Sequence, residues 1–210
     1  MSEPRTMSTD QLVDRARALI RSGQRRILGL CGAPGAGKST VSSALLEALG
    51  ADAVLVPMDG YHLSNEVLIS LGRRDRKGAP DTFDADGFVA LLRRLHQQRD
   101  DVVYAPRFHR EIEESIAAEI AVHRETPLVI TEGNYLLMTE GPWAAIRPLL
   151  DEAWFITPGE EVRQERLIAR HIAYGKEPQA ARDWALGTDE RNAQLINATA
   201  GRADLVIRID

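Results

Sequence analysis

Residues Gly32-Ala-Pro-Gly-Ala-Gly-Lys-Ser-Thr40 complete the pattern G-x-x-x-x-G-K-[ST]. In such a loop, glycines let backbone N–H groups turn inward around a phosphate, while the lysine reaches the terminal phosphates and the next hydroxyl takes a position on Mg²⁺. A glycine turn that happens to contain a lysine is the alternative. The flanking residues favour phosphate binding, with Lys38 as the phosphate-contacting cation and Ser39 as a metal-binding hydroxyl.

The flanks have the strand–loop–helix pattern that a phosphate-binding loop requires. The apolar run Ile27–Cys31 has the length of a strand, and apolar residues at helical spacing follow the loop as far as Gly50. The N-terminus of such a helix attracts anions. We therefore predict that the phosphates of a nucleotide and Mg²⁺ bind here. The predicted nucleotide-binding residues are Gly32, Ala33, Pro34, Gly35, Ala36, Gly37, Lys38, Ser39 and Thr40.

Composition narrows the possible partners of the 210-residue chain. Its formal net charge is −5, whereas a broad nucleic-acid-binding surface is normally basic. No apolar run has the length of a membrane span, and the N-terminus lacks the apolar stretch of a secretory signal. Cys31 is the only cysteine, which excludes an intrachain disulfide. We expect a cytoplasmic protein with a small-molecule partner and with neither nucleic acid nor membrane as a partner. The oligomeric state stays open, a homodimer included.

Further apolar runs predict a mainly parallel sheet. After the first strand, the strand candidates are Ala53–Pro57, Leu128–Thr131, Ala153–Ile156 and Asp204–Ile209. Strands that alternate with helices are typical of α/β proteins with crossover connections. We predict a P-loop NTPase fold, with a five-stranded, mainly parallel sheet flanked by helices and a helical lid, in a single domain of residues 1–210.

Helical patterns begin at Ser8, near Asp84 or Asp86, and near Pro178, and another runs from about Glu160 to Tyr174. The segment 113–122 fits a strand or a helix. A polar stretch at about 59–84 is too long for an ordinary connection, and such loops are often functional. We predict that this stretch is a substrate-side loop.

Two acidic residues follow predicted strands at the sheet edge where ligands of α/β proteins bind. Asp59 follows the second strand, and Glu132 follows the third in the position of a Walker-B acid. Phosphoryl transfer needs a metal ligand and a group that accepts or orients the acceptor's hydroxyl proton. Either residue could instead cap a strand end or lie in a solvated turn. The sequence leaves open which is base and which is metal ligand.

Three arginines share one face of the predicted helix after the fourth strand: Arg163, Arg166 and Arg170. Arg166 and Arg170 have no acidic residue three or four positions away, so their charges are available to phosphate, whereas Arg163 could pair with Glu160. We predict a lid at about residues 160–178. Gly175-Lys176 is either its hinge or a helix stop.

From about Ile27 to Ile209, the chain resembles the phosphoribulokinase, uridine kinase and pantothenate kinase family of P-loop kinases. The matching stretches are the phosphate loop, Met58–His62 with Asn65, Arg76–Asp84, Val103–Pro106, Ile130–Leu136 and the lid segment Arg166–Arg170. The arrangement is most similar to bacterial proteins labelled fructose transport system kinase. The resemblance implies a five-stranded parallel sheet with a lid, and a kinase that uses ATP and Mg²⁺.

The resemblance also implies roles for single residues. Catalytic roles fall on Lys38, Asp59, Arg166 and Arg170, and metal binding on Ser39, Asp59 and Glu132. The predicted acceptor contacts are Asp59, Tyr61, His62, Lys77, Asp84, Tyr104, Phe108, Arg110 and Glu132. Arg110 stands where pantothenate kinases have a histidine, and the Tyr-Asp pair of uridine kinases is missing. Arg110 therefore hints at an anionic group on the acceptor.

These observations predict a phosphotransferase that moves the γ-phosphate of ATP to a hydroxyl of a small molecule, such as a sugar or related metabolite. The alternatives are a nucleoside or pantothenate kinase, and a regulatory nucleotide-binding protein without an acceptor. Acceptor identity and the preference for ATP over GTP are open at this stage.

Overall fold

The computed structural model describes residues 4–175 and 177–209. Lys176, one half of the predicted hinge, lies outside the described residues. The strands are Arg5–Thr6 (β1), Arg26–Cys31 (β2), Ala53–Leu55 (β3), Val102–His109 (β4), Glu114–His123 (β5), Leu128–Gly133 (β6), Glu152–Ile156 (β7) and Leu205–Arg208 (β8). The α-helices are Thr9–Ile20 (α1), Lys38–Leu49 (α2), Asn65–Ser70 (α3), Ala85–His96 (α4), Glu160–Ala173 (α5), Pro178–Leu186 (α6) and Thr188–Asn197 (α7).

The central sheet has six parallel strands in the order β1-β8-β7-β2-β6-β3. The prediction of a mainly parallel α/β sheet is confirmed, but the predicted number of five strands is wrong. The additional strand, β1, is two residues long and pairs Arg5 with Ile207 and Thr6 with Arg208. Two residues carry no hydrophobic alternation, so this strand has no readable sequence signal.

Side chains of the sheet alternate between two buried layers. Leu28 and Ile130 pack in the layer that contains α1 and α2, while Ile27 and Val129 pack in the layer that contains α4. Burial on both faces explains why these strands read as continuous apolar runs. Cys31 ends β2 fully buried, and its thiol donates to the carbonyl of Asn134 at 3.3 Å.

Residues 114–122 of the ambiguous segment form a strand, and Glu113 lies in the turn before it. The strand belongs to β5, which pairs with β4 as an antiparallel hairpin outside the central sheet. Ile116 and Ile120 are four residues apart, which suits a helix, but the buried residues Ile120 and Val122 alternate as in a half-buried strand. The pairing register shifts between Ala105 and Arg107, where Pro106 lies opposite residues 117–119 of β5 and Ala118 has φ +60°.

The stretch 59–84 is ordered around α3 and several short 3₁₀ turns. Two buried aromatic side chains attach it to the rest of the fold. Tyr135 donates its hydroxyl to the Gly78 carbonyl at 2.5 Å, and the Trp143 indole donates to the Pro80 carbonyl at 3.2 Å. Among the helices of the described residues, none is long and apolar enough to cross a membrane.

Candidate active site

The phosphate loop joins β2 to α2. Its last glycine, Gly37, precedes α2 without any side-chain cap, so the first N–H groups of that helix are open to an anion. Gly35 has φ +82°, and a Cβ there would lie 2.7 Å from the carbonyl oxygen of Arg163. The close approach of α5 thus requires glycine at this position, while the open N–H groups at the start of α2 suit the phosphates of a nucleotide.

The Lys38 side chain folds back onto the phosphate loop. Its Nζ donates to the Gly32 carbonyl at 2.8 Å and to Oδ1 of Asn134 at 2.7 Å. Burial lowers the pKa of the Lys38 ammonium, and the nearby carboxylates of Glu132 and Asp59 oppose this shift. The lysine therefore lies within the electrostatic reach of both predicted acids.

Glu132 faces two hydroxyls at the start of α2. Its carboxylate accepts from Ser39 Oγ at 3.1 Å and from Ser42 Oγ at 2.9 Å. These are hard oxygen donors of the kind that Mg²⁺ prefers. Residues 4–175 and 177–209 contain no group of three or more His, Cys, Asp or Glu side chains that could hold a metal ion. This donor set fits Mg²⁺, which usually completes its shell with water and substrate phosphates.

Asp59 follows β3 in a 3₁₀ turn. Its Oδ2 lies 3.5 Å from Nη2 of Arg110, and the side chains are 37% and 50% exposed. The two predicted acids thus have different neighbours. Glu132 faces hydroxyls of the phosphate-loop helix, whereas Asp59 faces a cation of the β4–β5 hairpin.

Arg163 attaches helix α5 to the phosphate loop. Its side chain is only 3% exposed and forms ion pairs with Glu160 and Glu190. Its Nη1 donates to the Pro34 carbonyl at 3.4 Å. The Arg163–Glu160 pair that the sequence suggested is therefore present, and Glu190 of α7 extends it to a second helix.

The other two arginines of α5 reach the phosphate loop and the cavity. A Cβ on Gly37 would lie 3.4 Å from Nη1 of Arg166. Arg170 lines the cavity, and its pKa is lowered by burial and by the charge of Arg110. The two predicted lid arginines thus lie near the phosphate loop or on the cavity, and their contact with a γ-phosphate stays a prediction.

A cavity of about 610 Å³ lies in front of these groups. Ten of the predicted site residues line it: Pro34, Lys38, Ser39, Asp59, His62, Lys77, Phe108, Arg110, Glu132 and Arg170. The structure thus brings the phosphate loop, the substrate-side loop, the hairpin and α5 to one space at the carboxyl edge of the sheet.

Two of the lining residues form an aromatic wall with Phe83. The His62 ring lies 4.0 Å from Phe83 and 4.5 Å from Phe108, measured between centroids. Burial lowers the pKa of His62. Lys77 Nζ lies 5.3 Å from the Phe108 ring centroid and donates to Oδ1 of Asn65 at 2.9 Å. This wall offers ring faces beside a cation.

Three predicted acceptor contacts lie elsewhere. Asp84 caps α4, where its Oδ1 accepts from the Gly87 N–H at 2.9 Å. The Tyr61 ring packs against Phe88 at 5.3 Å, and Tyr104 is 57% exposed on the hairpin. None of the three lines the described cavity, so their contact with an acceptor stays a prediction.

Among the polar lining residues that sequence reasoning did not assign to the site are Asn134, His171 and Asp189. Asn134 stands in the stretch Ile130–Leu136, so the resemblance offered a signal for it. His171 Nε2 lies 2.7 Å from Oδ2 of Asp189, a contact that joins α5 to α7. The start of α7 carries no apolar pattern, so Asp189 had no such signal.

The chain is similar to known proteins in sequence and in structure. The family model "Phosphoribulokinase / Uridine kinase family" matches residues 27–209. A provisionally named uridine kinase of Schizosaccharomyces pombe is 34% identical, over 97% of this chain and 89% of its own. Escherichia coli YggC is 32% identical, over 90% and 80%. The crystal structure of a provisionally named fructose transport system kinase from Silicibacter sp. TM1040 has a TM-score of 0.86 and 36% identity, and the match covers 95% of this chain and 98% of that one.

Proposed function

The chain belongs to the phosphoribulokinase and uridine kinase family of P-loop kinases, and on that basis we propose that it transfers the γ-phosphate of ATP to a hydroxyl group of a small molecule. The observation that carries the proposal is the meeting of Lys38, Asp59, Glu132 and Arg170 on one cavity. A phosphate-binding cation, two separated carboxylates and a lid arginine are the parts that phosphoryl transfer requires.

The nucleotide occupies the phosphate-loop end of the cavity in this proposal. Lys38 and the N–H groups at the start of α2 bind its phosphates, while Ser39 and Glu132 hold Mg²⁺. The ion neutralises charge on the phosphate oxygens when bound. Arg166 and Arg170 close over the γ-phosphate from the lid and exclude water, which limits hydrolysis without an acceptor.

Asp59 orients the acceptor hydroxyl or accepts its proton in this proposal. Glu132 is assigned to Mg²⁺ instead, because it faces the hydroxyls of Ser39 and Ser42. The acceptor oxygen forms a bond to the γ-phosphorus, and the bond from that phosphorus to the β–γ bridging oxygen breaks. ADP leaves, and the hydroxyl proton passes to Asp59 or to water. Most of the acceleration comes from positioning and charge stabilisation, since the protein forms no covalent bond.

The acceptor is a sugar or a related metabolite in the leading form of the proposal. Fructose and uridine, named for the relatives, are the first compounds to test. The ring faces of His62 and Phe108 favour a nucleoside as the second candidate, since bases stack on aromatic side chains. Pantothenate and a regulatory role without an acceptor are the remaining alternatives. We further propose that the chain acts in the cytoplasm as a single domain of residues 1–210.

ADP release with Mg·ATP tests the proposal against a panel of sugars, nucleosides and pantothenate. We expect ADP release that depends on one acceptor. Asp59→Asn should lower kcat about 10²- to 10⁴-fold, as expected for loss of a general base, with unchanged ATP affinity. Asp52→Asn, at an exposed position, is the matched control and should behave as wild type.

Two results would count against the proposal. Tight ATP binding without acceptor-dependent ADP release across the panel would favour the regulatory alternative. A wild-type kcat in Asp59→Asn would remove Asp59 from its role while leaving the kinase activity itself intact.

A further inference from the structure

Arg110 is the first residue after β4, in the turn of the hairpin. From there its guanidinium reaches the cavity and lies 3.5 Å from the Asp59 carboxylate. Among residues 4–175 and 177–209, Asp59 is its only hydrogen-bonding or ion-pair partner. A guanidinium has five N–H donors, so most of the donors of Arg110 remain open to a ligand.

The hairpin turn that carries Arg110 is held in place by the substrate-side loop. The Glu113 carbonyl accepts from Lys77 Nζ and, at 3.2 Å, from Asn65 Nδ2. The Asn65 N–H in turn donates to Oε1 of Glu114 at 2.8 Å. Glu113 has φ +55°, a backbone conformation that a non-glycine residue keeps only when its surroundings support it. Arg110 is therefore presented to the cavity by a supported turn.

Two guanidinium groups, of Arg110 and Arg170, line the same cavity. Burial and the charge of Arg110 lower the pKa of Arg170, and the carboxylates of Asp189 and Asp59 act in the opposite direction. Of these two carboxylates, Asp59 is the ion-pair partner of Arg110. Arg170 belongs to the lid and is assigned to the γ-phosphate, so Arg110 is the cation left for the acceptor.

The part of the cavity lining that comes from the substrate-side loop and the hairpin turn is otherwise close to charge balance. Its basic side chains besides Arg110 are Arg74, Arg76 and Lys77, and its acidic side chains besides Asp59 are Asp75 and Glu113. Arg76 is paired with Asp81 at 2.5 Å, a residue outside the lining. Arg110 is thus distinguished by its position beside the Asp59 carboxylate, which is assigned to the acceptor hydroxyl.

We propose that the acceptor is a small hydroxylated anion, whose carboxylate or phosphate group binds Arg110 while a hydroxyl a few bonds away lies at Asp59. Arginine suits both anions, because its planar donor pair matches two oxygens at once. An uncharged sugar or nucleoside leaves those donors without an anionic partner. The inference rests on the proposed kinase function and narrows its substrate class.

The test uses matched acceptors that differ in charge. ADP release with Mg·ATP is measured for glycerol against glycerate, glucose against gluconate and fructose against its monophosphates. The carboxylates and the phosphates form separate arms, which identifies the anionic group. We expect an anionic member of at least one set to exceed its neutral partner at least tenfold in kcat/KM.

Arg110→Gln is the decisive variant. Loss of hydrogen bonds to a charged group should raise the KM of the anionic acceptor about 10- to 100-fold, with kcat within a few-fold and Mg·ATP affinity unchanged. Arg107→Gln is the matched control. Arg107 lies on the same hairpin, pairs with Glu119 at 2.9 Å and is outside the cavity lining, so this variant should keep wild-type constants. Circular dichroism and thermal melting confirm that both variants fold.

Each contrary result has a separate meaning. Equal kcat/KM for neutral and anionic partners, or an Arg110→Gln enzyme with unchanged acceptor KM, would overturn the inference and leave the kinase function standing. A loss of kcat alone would assign Arg110 to the transferring phosphate and would also overturn it. No ADP from any acceptor would overturn the proposed function, and the inference with it.

Discussion

Gly35→Ala tests whether the phosphate loop depends on its close approach to α5. The new Cβ would meet the Arg163 carbonyl oxygen at 2.7 Å, in a residue with φ +82°. An alanine in the left-handed region costs about 1–2 kcal/mol more than glycine. The overlap is with a backbone atom that cannot rotate away, so a shift of the loop adds about 1–3 kcal/mol.

Gly23→Ala separates these two contributions. Gly23 has φ +73°, but a Cβ there has no atom within 4 Å, so this variant carries the backbone cost alone. We expect Gly35→Ala to lose about 2–5 kcal/mol of unfolding free energy and Gly23→Ala about 1–2 kcal/mol. Urea unfolding with an unchanged m-value measures the difference.

Nucleotide binding should separate the two variants as well. If the loop moves away from Arg163 to relieve the overlap, its N–H groups leave the phosphate position. A loss of about 1.4 kcal/mol or more corresponds to at least a tenfold weaker affinity for Mg·ATP, which calorimetric titration detects. Equal stability and equal wild-type affinity in the two variants would refute the reasoning.

Two further expectations concern Mg²⁺ and acid. Glu132→Gln should raise the Mg²⁺ concentration for half-maximal ADP release about tenfold or more, as loss of a group that positions a metal does. The exposed control Glu140→Gln should leave this concentration unchanged. Equal Mg²⁺ dependence of the two variants would contradict the assignment of Glu132 to Mg²⁺. Burial lowers the pKa of His62 below its ordinary 6.5. Between pH 6.5 and the lowered pKa, the unfolded chain binds a proton that the folded protein does not bind. The free energy of unfolding therefore falls as the pH drops through this range. His62→Phe keeps the ring stack and should flatten this part of the urea-unfolding pH profile, and an unchanged slope would contradict that origin.

Buried strands and the phosphate loop were predictable because each has a local signal. The run Ile27–Cys31 and the glycine pattern after it correspond to β2 and the loop before α2. The N-cap position of α1 was equally local, since Ser8 forms a capping box with Gln11. These features depend on residues within a few positions of one another.

Features that depend on distant residues could not be predicted in the same way. Asp84 is an example, because an aspartate after a loop suits a helix cap and a ligand contact alike, and its oxygen accepts from Gly87. Arg163 is another. Its pair with Glu160 followed from spacing, whereas its pair with Glu190 depends on how α7 packs.

The position of Cys31 has a practical consequence for following motion. Burial raises the pKa of its thiol to about 11, so at neutral pH it is a poor nucleophile toward labelling reagents. It is also the chain's only cysteine. A pair of cysteines introduced by Ile112→Cys on the hairpin turn and Glu165→Cys on α5, both at exposed positions, can carry a donor and an acceptor fluorophore with the native thiol left in place. Energy transfer between them would report the distance between the hairpin and α5, and so whether α5 moves as the predicted lid when substrates are added.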